Sequence, residues 1–91
     1  MAYQVIVLPS AEADLTSLDP AIRSRVLQRL VWLGQNAEVI IHHRLASMPD
    51  DLTGLCRIRI GDYRVLYWPY PKDKIVKVYR VQHRREVYRE F

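Results

Sequence analysis

Three arginines lie in a short segment whose apolar residues alternate as they do in a β-strand. The segment is CRIRIGDYRVLY, residues 56–67, and its arginines are Arg57, Arg59 and Arg64. A strand does not need arginines to fold, whereas a guanidinium group stays charged at neutral pH and can bind a phosphate through two parallel N–H groups. The segment therefore predicts a binding site for an anion.

A second group of reactive side chains lies near the C-terminus. His83, Arg84, Arg85 and Tyr88 fall within six residues, and together they offer groups for proton transfer and for phosphate binding. Two simpler roles stay open at this point: Tyr88 could anchor the end of the chain against the core, and His83 could be an ordinary residue at a strand edge.

The dipeptide Gly61-Asp62 separates two strand-like segments, which is the pattern of a β-hairpin with a two-residue turn. This turn places Arg59 opposite Arg64 and Arg57 opposite Leu66, so the three arginines share one face. Two facing arginines repel unless an acid or a bound anion lies between them. The alternative is three solvated side chains on an open sheet. The other face is largely apolar and suited to packing under helices: Cys56, Ile58, Ile60, Tyr63, Val65 and Tyr67.

The N-terminal part of the chain predicts one strand and two helices. Residues 3–8 are rich in β-branched side chains and form the strand, after which Ser10 can cap a short helix. Asp19-Pro20 is a second helix start, and Gly34 is a natural stop. Apolar residues recur on one face of this second helix, at Ile22, Val26, Leu30 and Leu33, with Leu27 and Val31 beside them. Its three arginines, Arg23, Arg25 and Arg29, are expected on a solvated face.

The last strand is predicted over residues 75–82, while residues 35–53 give only a weak pattern of turn and loop. The expected order is β-α-α-β-β-β. This is an α+β fold with two N-terminal helices packed on one face of a mostly antiparallel sheet. With 91 residues, the chain is expected to form one domain, residues 1–91.

Charge is distributed unevenly along the chain. Residues 1–54 contain four arginines against six acidic residues, whereas residues 55–91 contain ten Lys or Arg against four acidic residues. A basic C-terminal half rich in arginine makes an anionic partner plausible, nucleic acid first among them. The apolar runs are too short to cross a bilayer, so we expect a cytoplasmic protein without membrane contact. Cys56 is expected to be a buried thiol, and the adjacent His42 and His43 make a poor metal pair, so no metal or other cofactor is expected.

Residues 54–88, GLCRIRIGDYRVLYWPYPKDKIVKVYRVQHRREVY, closely resemble the RelE branch of the RelE/ParE toxin superfamily. The resemblance rests on an arginine-bearing strand, a G-[DN]-Y-R-[VL]-[IL]-Y hairpin and a terminal H-R-[RK]-x-V-Y segment. The N-terminal LPSAEADLTSLDPAIRSRV also resembles the opening strand and helical hairpin of that family.

The resemblance implies a toxin of a type II toxin–antitoxin pair that enters the ribosomal A site and cuts mRNA without a metal. It implies catalytic roles for Arg64, Arg84 and Tyr88, with His83 as a competing candidate for proton transfer. Arg57, Arg59 and Arg85 are then expected to bind RNA phosphates, although Arg84 and Arg85 could exchange roles. The implied partners are a cognate antitoxin, the ribosome and mRNA. Two alternatives remain: a ParE-type inhibitor of DNA gyrase, and a non-toxic binding protein with the same fold.

Overall fold

The fold was analysed in a computed structural model that describes residues 2–86. Two helices follow the first strand, and the remaining strands follow the helices, so the predicted order is confirmed with one short strand and one 3-10 turn added. The elements are β1 (Gln4–Val7), α1 (Pro9–Thr16), α2 (Pro20–Asn36), β2 (His43–Arg44), a 3-10 turn (Asp50–Leu52), β3 (Cys56–Ile60), β4 (Tyr63–Tyr70) and β5 (Ile75–His83).

The five strands form one mixed sheet in the order β1-β5-β4-β3-β2. The first strand runs parallel to the last, with Gln4 opposite Ile75, and all other neighbours are antiparallel. A bulge between Leu66 and Tyr67 adds one residue to β5 at this point, so that Leu66 lies opposite Arg80 and Tyr67 opposite Val78. The prediction of an α+β fold on a mostly antiparallel sheet is confirmed.

The core lies between the two helices and the apolar face of the sheet. From α2 it takes Val26, Leu30 and Leu33, which confirms the predicted helix stripe, and from the sheet it takes buried residues that include Cys56, Val65, Tyr67, Val76 and Val78. Burial of these apolar side chains stabilises the fold by roughly 1.5–3 kcal/mol each. Leu27 and Val31, which were expected beside this stripe, are exposed at 43% and 59%, so this part of the prediction is wrong.

The helix α2 continues past Gly34, so the predicted stop at this residue is wrong. Gly34 is buried within the helix because β1 passes directly beneath it: the Tyr3 amide donates to the Gly34 carbonyl at 2.8 Å. A Cβ atom at Gly34 would lie 2.8 Å from Val5 Cγ2 and 2.9 Å from the Tyr3 carbonyl oxygen. Close packing of helix on strand, rather than helix termination, explains this glycine.

Two expectations about the helix ends are also wrong. The first helix begins at Pro9 without a side-chain cap, and the Ser10 hydroxyl instead donates to the Tyr79 carbonyl at 2.6 Å, joining α1 to β5. Arg23 is not simply solvated, because its guanidinium donates to the Leu15, Thr16 and Leu18 carbonyls at the end of α1. A cation from the following helix thus adds hydrogen bonds to carbonyls at the end of α1, beside those that the Ser17 amide makes.

The Asp14 carboxylate covers β5 where this strand continues beyond β1. It accepts hydrogen bonds from the Arg80 guanidinium at 2.8 and 3.1 Å and from the Val81 amide at 2.8 Å. The amide needs such a partner because β1 pairs with β5 only as far as Val78. Within residues 2–86, no helix is long and apolar enough to cross a bilayer.

Candidate active site

The hairpin of β3 and β4 has the predicted register. Arg59 lies opposite Arg64, Arg57 opposite Leu66 and Ile60 opposite Tyr63. Gly61 has a φ of 59°, the left-handed conformation that the first position of a type II′ turn requires, and glycine adopts it without strain. The turn therefore places the three arginines at positions that alternate with the buried residues Cys56, Val65 and Tyr67, and at the edge of the sheet the long side chains of Arg57 and Arg59 also reach the helix side.

Arg64 is not on an open surface, so the expected open face shared by three arginines is wrong for this residue, and so is the alternative of three solvated side chains. Its side chain is only 9% exposed, and its guanidinium donates to the Gly61 and Tyr63 carbonyls at 3.0 and 2.9 Å. By turning towards the hairpin turn, the guanidinium satisfies two main-chain acceptors instead of facing the charge of Arg59. Arg57 is half-buried and Arg59 is exposed.

Arg57 and Arg59 also line a cleft at the edge of the sheet. This helix-side cleft has a volume of about 410 Å³ and lies between α2, β3 and residues 40–43. Arg29 lies on its wall with the guanidinium carbon 3.9 Å from the centre of the Trp32 ring, a cation–π contact. Arg29 was expected to be solvated, and the spacing of three residues between Arg29 and Trp32 on one helix is the signal that could have identified the pair.

The floor of the helix-side cleft includes Tyr67, which is joined to His42. The Tyr67 hydroxyl and His42 Nδ1 are 2.7 Å apart, and His42 Nε2 lies 2.7 Å from the Ala37 carbonyl. Because the carbonyl can only accept, Nε2 carries the proton and the neutral ring accepts from Tyr67 at Nδ1. Burial raises the pKa of Tyr67, which keeps the phenol protonated as this arrangement requires.

The structure brings Arg84 to the hairpin turn but turns His83 away from Arg64. The Arg84 amide donates to the Asp62 carbonyl at 2.7 Å, and its side chain lies 3.9 Å from the Asp62 carboxylate. His83 lies opposite Tyr63, and the two rings are 5.4 Å apart with edge-to-face geometry. The pleat places this pair on the opposite face of the sheet from Arg64.

Of the two other C-terminal candidates, Arg85 and Tyr88, the structure describes only Arg85. Arg85 is exposed, and its amide donates to His83 Nδ1 at 3.3 Å. Tyr88 lies outside the described residues, so its predicted role stays a prediction.

Gln82 is a residue that the sequence did not identify. It lies opposite Arg64, which itself lies opposite Arg59, so one transverse row on the arginine-bearing face reads Arg59, Arg64, Gln82 across three strands. Gln82 is 1% exposed, and neither its amide nitrogen nor its amide oxygen has a hydrogen-bond partner. A search for reactive residue types overlooks glutamine, because a neutral amide neither titrates nor attacks.

Two further groups can be assigned. Cys56 is buried, as predicted, and burial raises the pKa of its thiol, which opposes formation of a reactive thiolate. Among residues 2–86, no cluster of three His, Cys, Asp or Glu side chains has the geometry of a metal site.

Comparisons with known proteins agree on one family. Residues 5–88 match the family profile described as the ParE toxin of the type II toxin–antitoxin system parDE. No curated protein sequence is similar enough to the chain to count as a relative.

Among solved structures, the fold is similar to that of a chain in the RelBE2 toxin–antitoxin complex of Mycobacterium tuberculosis. The identity is 27%, the match covers 91% of this chain and 92% of that chain, and the TM-score is 0.77. A chain of the RelE–RelB complex of Pyrococcus horikoshii is 29% identical over 92% of this chain and 97% of that chain, with a TM-score of 0.69. A double mutant of E. coli toxin RelE in the free state is 24% identical over 99% of this chain and 94% of that chain, with a TM-score of 0.73. This similarity concerns the fold alone.

Proposed function

This chain belongs to the ParE toxin family of type II toxin–antitoxin systems, within the RelE/ParE superfamily, and we propose that it is a ribosome-dependent endoribonuclease that cuts mRNA in the A site. The observation that carries this proposal is the pairing of Arg59 with Arg64 beside the turn where Arg84 is held. Several permanent cations around one hairpin repel one another, and a bound phosphate would offset this repulsion.

The chemistry of metal-free RNA cleavage explains the need for these residue types. The ribose 2′-hydroxyl loses its proton to a base and attacks the adjacent phosphorus. The bond from phosphorus to the 5′-oxygen breaks, and an acid supplies a proton to this leaving oxygen. The phosphate carries additional negative charge in the transition state. A guanidinium group stays protonated at neutral pH, so Arg57, Arg59, Arg64 and Arg84 cannot serve as bases and act instead as fixed positive charges.

Proton transfer is assigned to Tyr88 or His83, with Arg85 as an additional phosphate contact. A phenol near several guanidinium groups is shifted towards its phenolate form and can accept the proton of the 2′-hydroxyl. His83 accepts the Arg85 amide at Nδ1, so the neutral ring has its only N–H group at Nε2 and neither ring nitrogen can take up a proton in this arrangement. This arrangement favours Tyr88 as the base, and His83 is the competing candidate if its contact with the Arg85 amide opens.

The proposed partner in the resting state is a cognate antitoxin. Two of the similar structures are toxin–antitoxin complexes, from M. tuberculosis and P. horikoshii. An antitoxin with an acidic or amphipathic segment would neutralise the basic half of this chain and block access of mRNA. The site of action is then the cytoplasm, and residues 1–91 act as one domain.

Induced expression followed by mapping of cut sites on ribosome-bound mRNA tests the function. We expect translation to stop and cuts to appear within translated codons. Arg64→Ala should slow cleavage at least ~100-fold, because one charge-stabilising group is lost. Tyr88→Phe should slow it by a factor of ~100 to 10,000, the usual range for a general acid or base.

Lys72→Ala is the matched control, because Lys72 is an exposed cation in the turn between β4 and β5. It should cleave as the unaltered protein does. Full toxicity of both Arg64→Ala and Tyr88→Phe would contradict the assignment of the site.

A second candidate function is inhibition of DNA gyrase, which the match to the ParE family profile favours. The two activities separate cleanly in one experiment. Purified protein that blocks supercoiling by gyrase while ribosome-bound mRNA stays intact would replace the first proposal with this one. Expression without any effect on growth would favour a non-toxic binding protein.

A further inference from the structure

The side-chain amide of Gln82 is the unusual polar group of the sheet. Its Nε2 and Oε1 atoms are both buried and both lack a hydrogen-bond partner. Buried amides in folded proteins almost always have partners, because water has been removed and nothing else replaces it. An amide left in this state within a row of two arginines needs a specific explanation.

The position of Gln82 connects the amide to the arginines. Gln82 is the direct neighbour of Arg64 across one strand spacing, and Arg64 is the direct neighbour of Arg59. Neighbouring strands are about 5 Å apart. A phosphate held between the two arginines therefore brings its attached ribose within reach of the next position in the row.

Arg64 connects this position with the hairpin turn. Its backbone lies directly opposite Gln82, and its guanidinium donates to the Gly61 and Tyr63 carbonyls. A phosphate is a stronger acceptor for a guanidinium than a neutral carbonyl, so a bound phosphate attracts the Arg64 side chain. Because Gln82 is buried, contact between its amide and a ligand requires such a movement of a neighbouring side chain.

The two amide atoms select among ligands. An amide offers one acceptor and two donor hydrogens side by side, and a phosphate alone satisfies only the donors. The unit made of a ribose 2′-hydroxyl and its 3′-phosphate offers both partners, because the hydroxyl donates and a phosphate oxygen accepts. A DNA phosphate lacks the hydroxyl and leaves Oε1 unpaired.

We infer that Gln82 positions the ribose at the cleaved bond, with Oε1 accepting from the 2′-hydroxyl and Nε2 donating to a phosphate oxygen. This inference rests on the proposed action on RNA and adds a residue that distinguishes RNA from DNA. The amide takes up no proton. It orients the hydroxyl in the bound substrate, and the O–H group then turns from Oε1 to the base, which takes its proton as the oxygen attacks the phosphorus.

The test compares equilibrium binding of a short single-stranded RNA with binding of its 2′-deoxy counterpart of the same sequence, measured by fluorescence anisotropy at low salt. Unaltered protein should bind the RNA about fivefold to tenfold more tightly, the effect of one hydrogen bond. Gln82→Leu should bind both strands within twofold of each other, with a larger loss of affinity for the RNA than for the deoxy strand, because only the RNA loses both hydrogen bonds. Gln28→Leu, which alters an exposed glutamine of α2, should keep the preference for RNA.

Thermal unfolding shows whether the variants remain folded. Gln82→Leu removes a buried polar group without a partner, so its Tm should equal or exceed that of the unaltered protein. A purely structural amide would leave the RNA preference intact in Gln82→Leu, and that result overturns the inference. Equal binding of RNA and DNA by the unaltered protein overturns it as well, even if Gln82→Leu fails to fold.

The failure of this inference differs from the failure of the proposed function. Ribosome-bound mRNA that stays uncut in the presence of unaltered protein rejects the proposed function. Cleavage that proceeds while Gln82→Leu retains both its RNA preference and its cleavage rate rejects only the role of Gln82.

Discussion

The hairpin turn at Gly61 and the segment at residues 37–43 are held in place by different kinds of contact. Around Gly61, main-chain hydrogen bonds between β3 and β4 hold the residues in register. The Arg64 side chain adds a hydrogen bond to the Gly61 carbonyl. Residues 37–43 have little sheet pairing, since β2 contributes only two residues. There the buried Tyr67 holds His42, and His42 holds the Ala37 carbonyl at the end of α2.

This difference determines how each region responds to change. A ladder of main-chain hydrogen bonds tolerates the replacement of most side chains, because the backbone supplies its own partners. The Tyr67 hydroxyl, the His42 ring and the Ala37 carbonyl are joined by only two hydrogen bonds. Removing one of these groups leaves a buried neighbour without a partner and destabilises the segment. One wall of the helix-side cleft therefore depends on a few atoms, whereas the arginine hairpin depends on many.

The largest effect is expected where helix and strand meet without space for a side chain. Gly34→Ala should lower the free energy of unfolding by about 2 kcal/mol, because its Cβ would overlap the Tyr3 carbonyl and Val5. Gly61→Ala is the matched variant: its cost of about 1 kcal/mol comes from the left-handed backbone alone, since the nearest atom to its Cβ is the end of Arg25 at 3.5 Å.

Chemical denaturation of both glycine variants measures this comparison. Alanine is favoured over glycine in a helix by about 1 kcal/mol. If Gly34→Ala were more stable than the unaltered protein, the gain in helix propensity would exceed the cost of the steric overlap at its Cβ atom. The contact between α2 and β1 would then be looser than described.

A smaller effect is expected from removing one hydroxyl beside the cleft. Tyr67→Phe should lower the free energy of unfolding by about 1.5 kcal/mol, because His42 Nδ1 loses its buried donor. Denaturation at neutral pH gives this value, and NMR of the His42 ring shows whether the tautomer set by Tyr67 and Ala37 persists. An unchanged stability and an unchanged ring spectrum would show that the network does not hold the segment.

The same variant has a predicted pH dependence. Burial raises the pKa of Tyr67 in the fold, so its contribution to stability is complete below the unfolded value of about 10 and is lost as the pH rises above it. The unaltered protein should therefore lose stability above pH 10 more steeply than Tyr67→Phe. Parallel curves for the two proteins would contradict the assigned cause.

The smallest effect is expected at the exposed end of the hairpin. The ion pair of Arg84 with Asp62 spans 3.9 Å, and both side chains are more than half exposed. Asp62→Asn should change the free energy of unfolding by less than ~0.5 kcal/mol, because solvent screens such pairs. A loss above 1 kcal/mol, measured by denaturation at low and high salt, would show that this side chain and not the backbone stabilises the turn.

Features fixed by neighbouring residues could be predicted from the sequence, and features fixed by distant ones could not. The register of Arg59 with Arg64 follows from a two-residue turn, and the buried stripe of α2 follows from its spacing. The roles of Gly34 and Arg23 depend on β1 and α1, so a rule about helix ends assigned Gly34 wrongly and the charge pattern of the helix assigned Arg23 wrongly. The burial of Gln82 and the place of Arg29 in a cleft required the packing of elements far apart in the chain.

The position of β5 between β1 and β4 has a consequence for the order of folding. The first strand has no neighbour in the sheet until residues 75–78 are in place. This pairing joins residues about 70 positions apart, so it closes a much longer loop than the two-residue turn between β3 and β4 does. The β3–β4 hairpin should therefore form early in folding, and the pairing of β1 with β5 should complete the sheet.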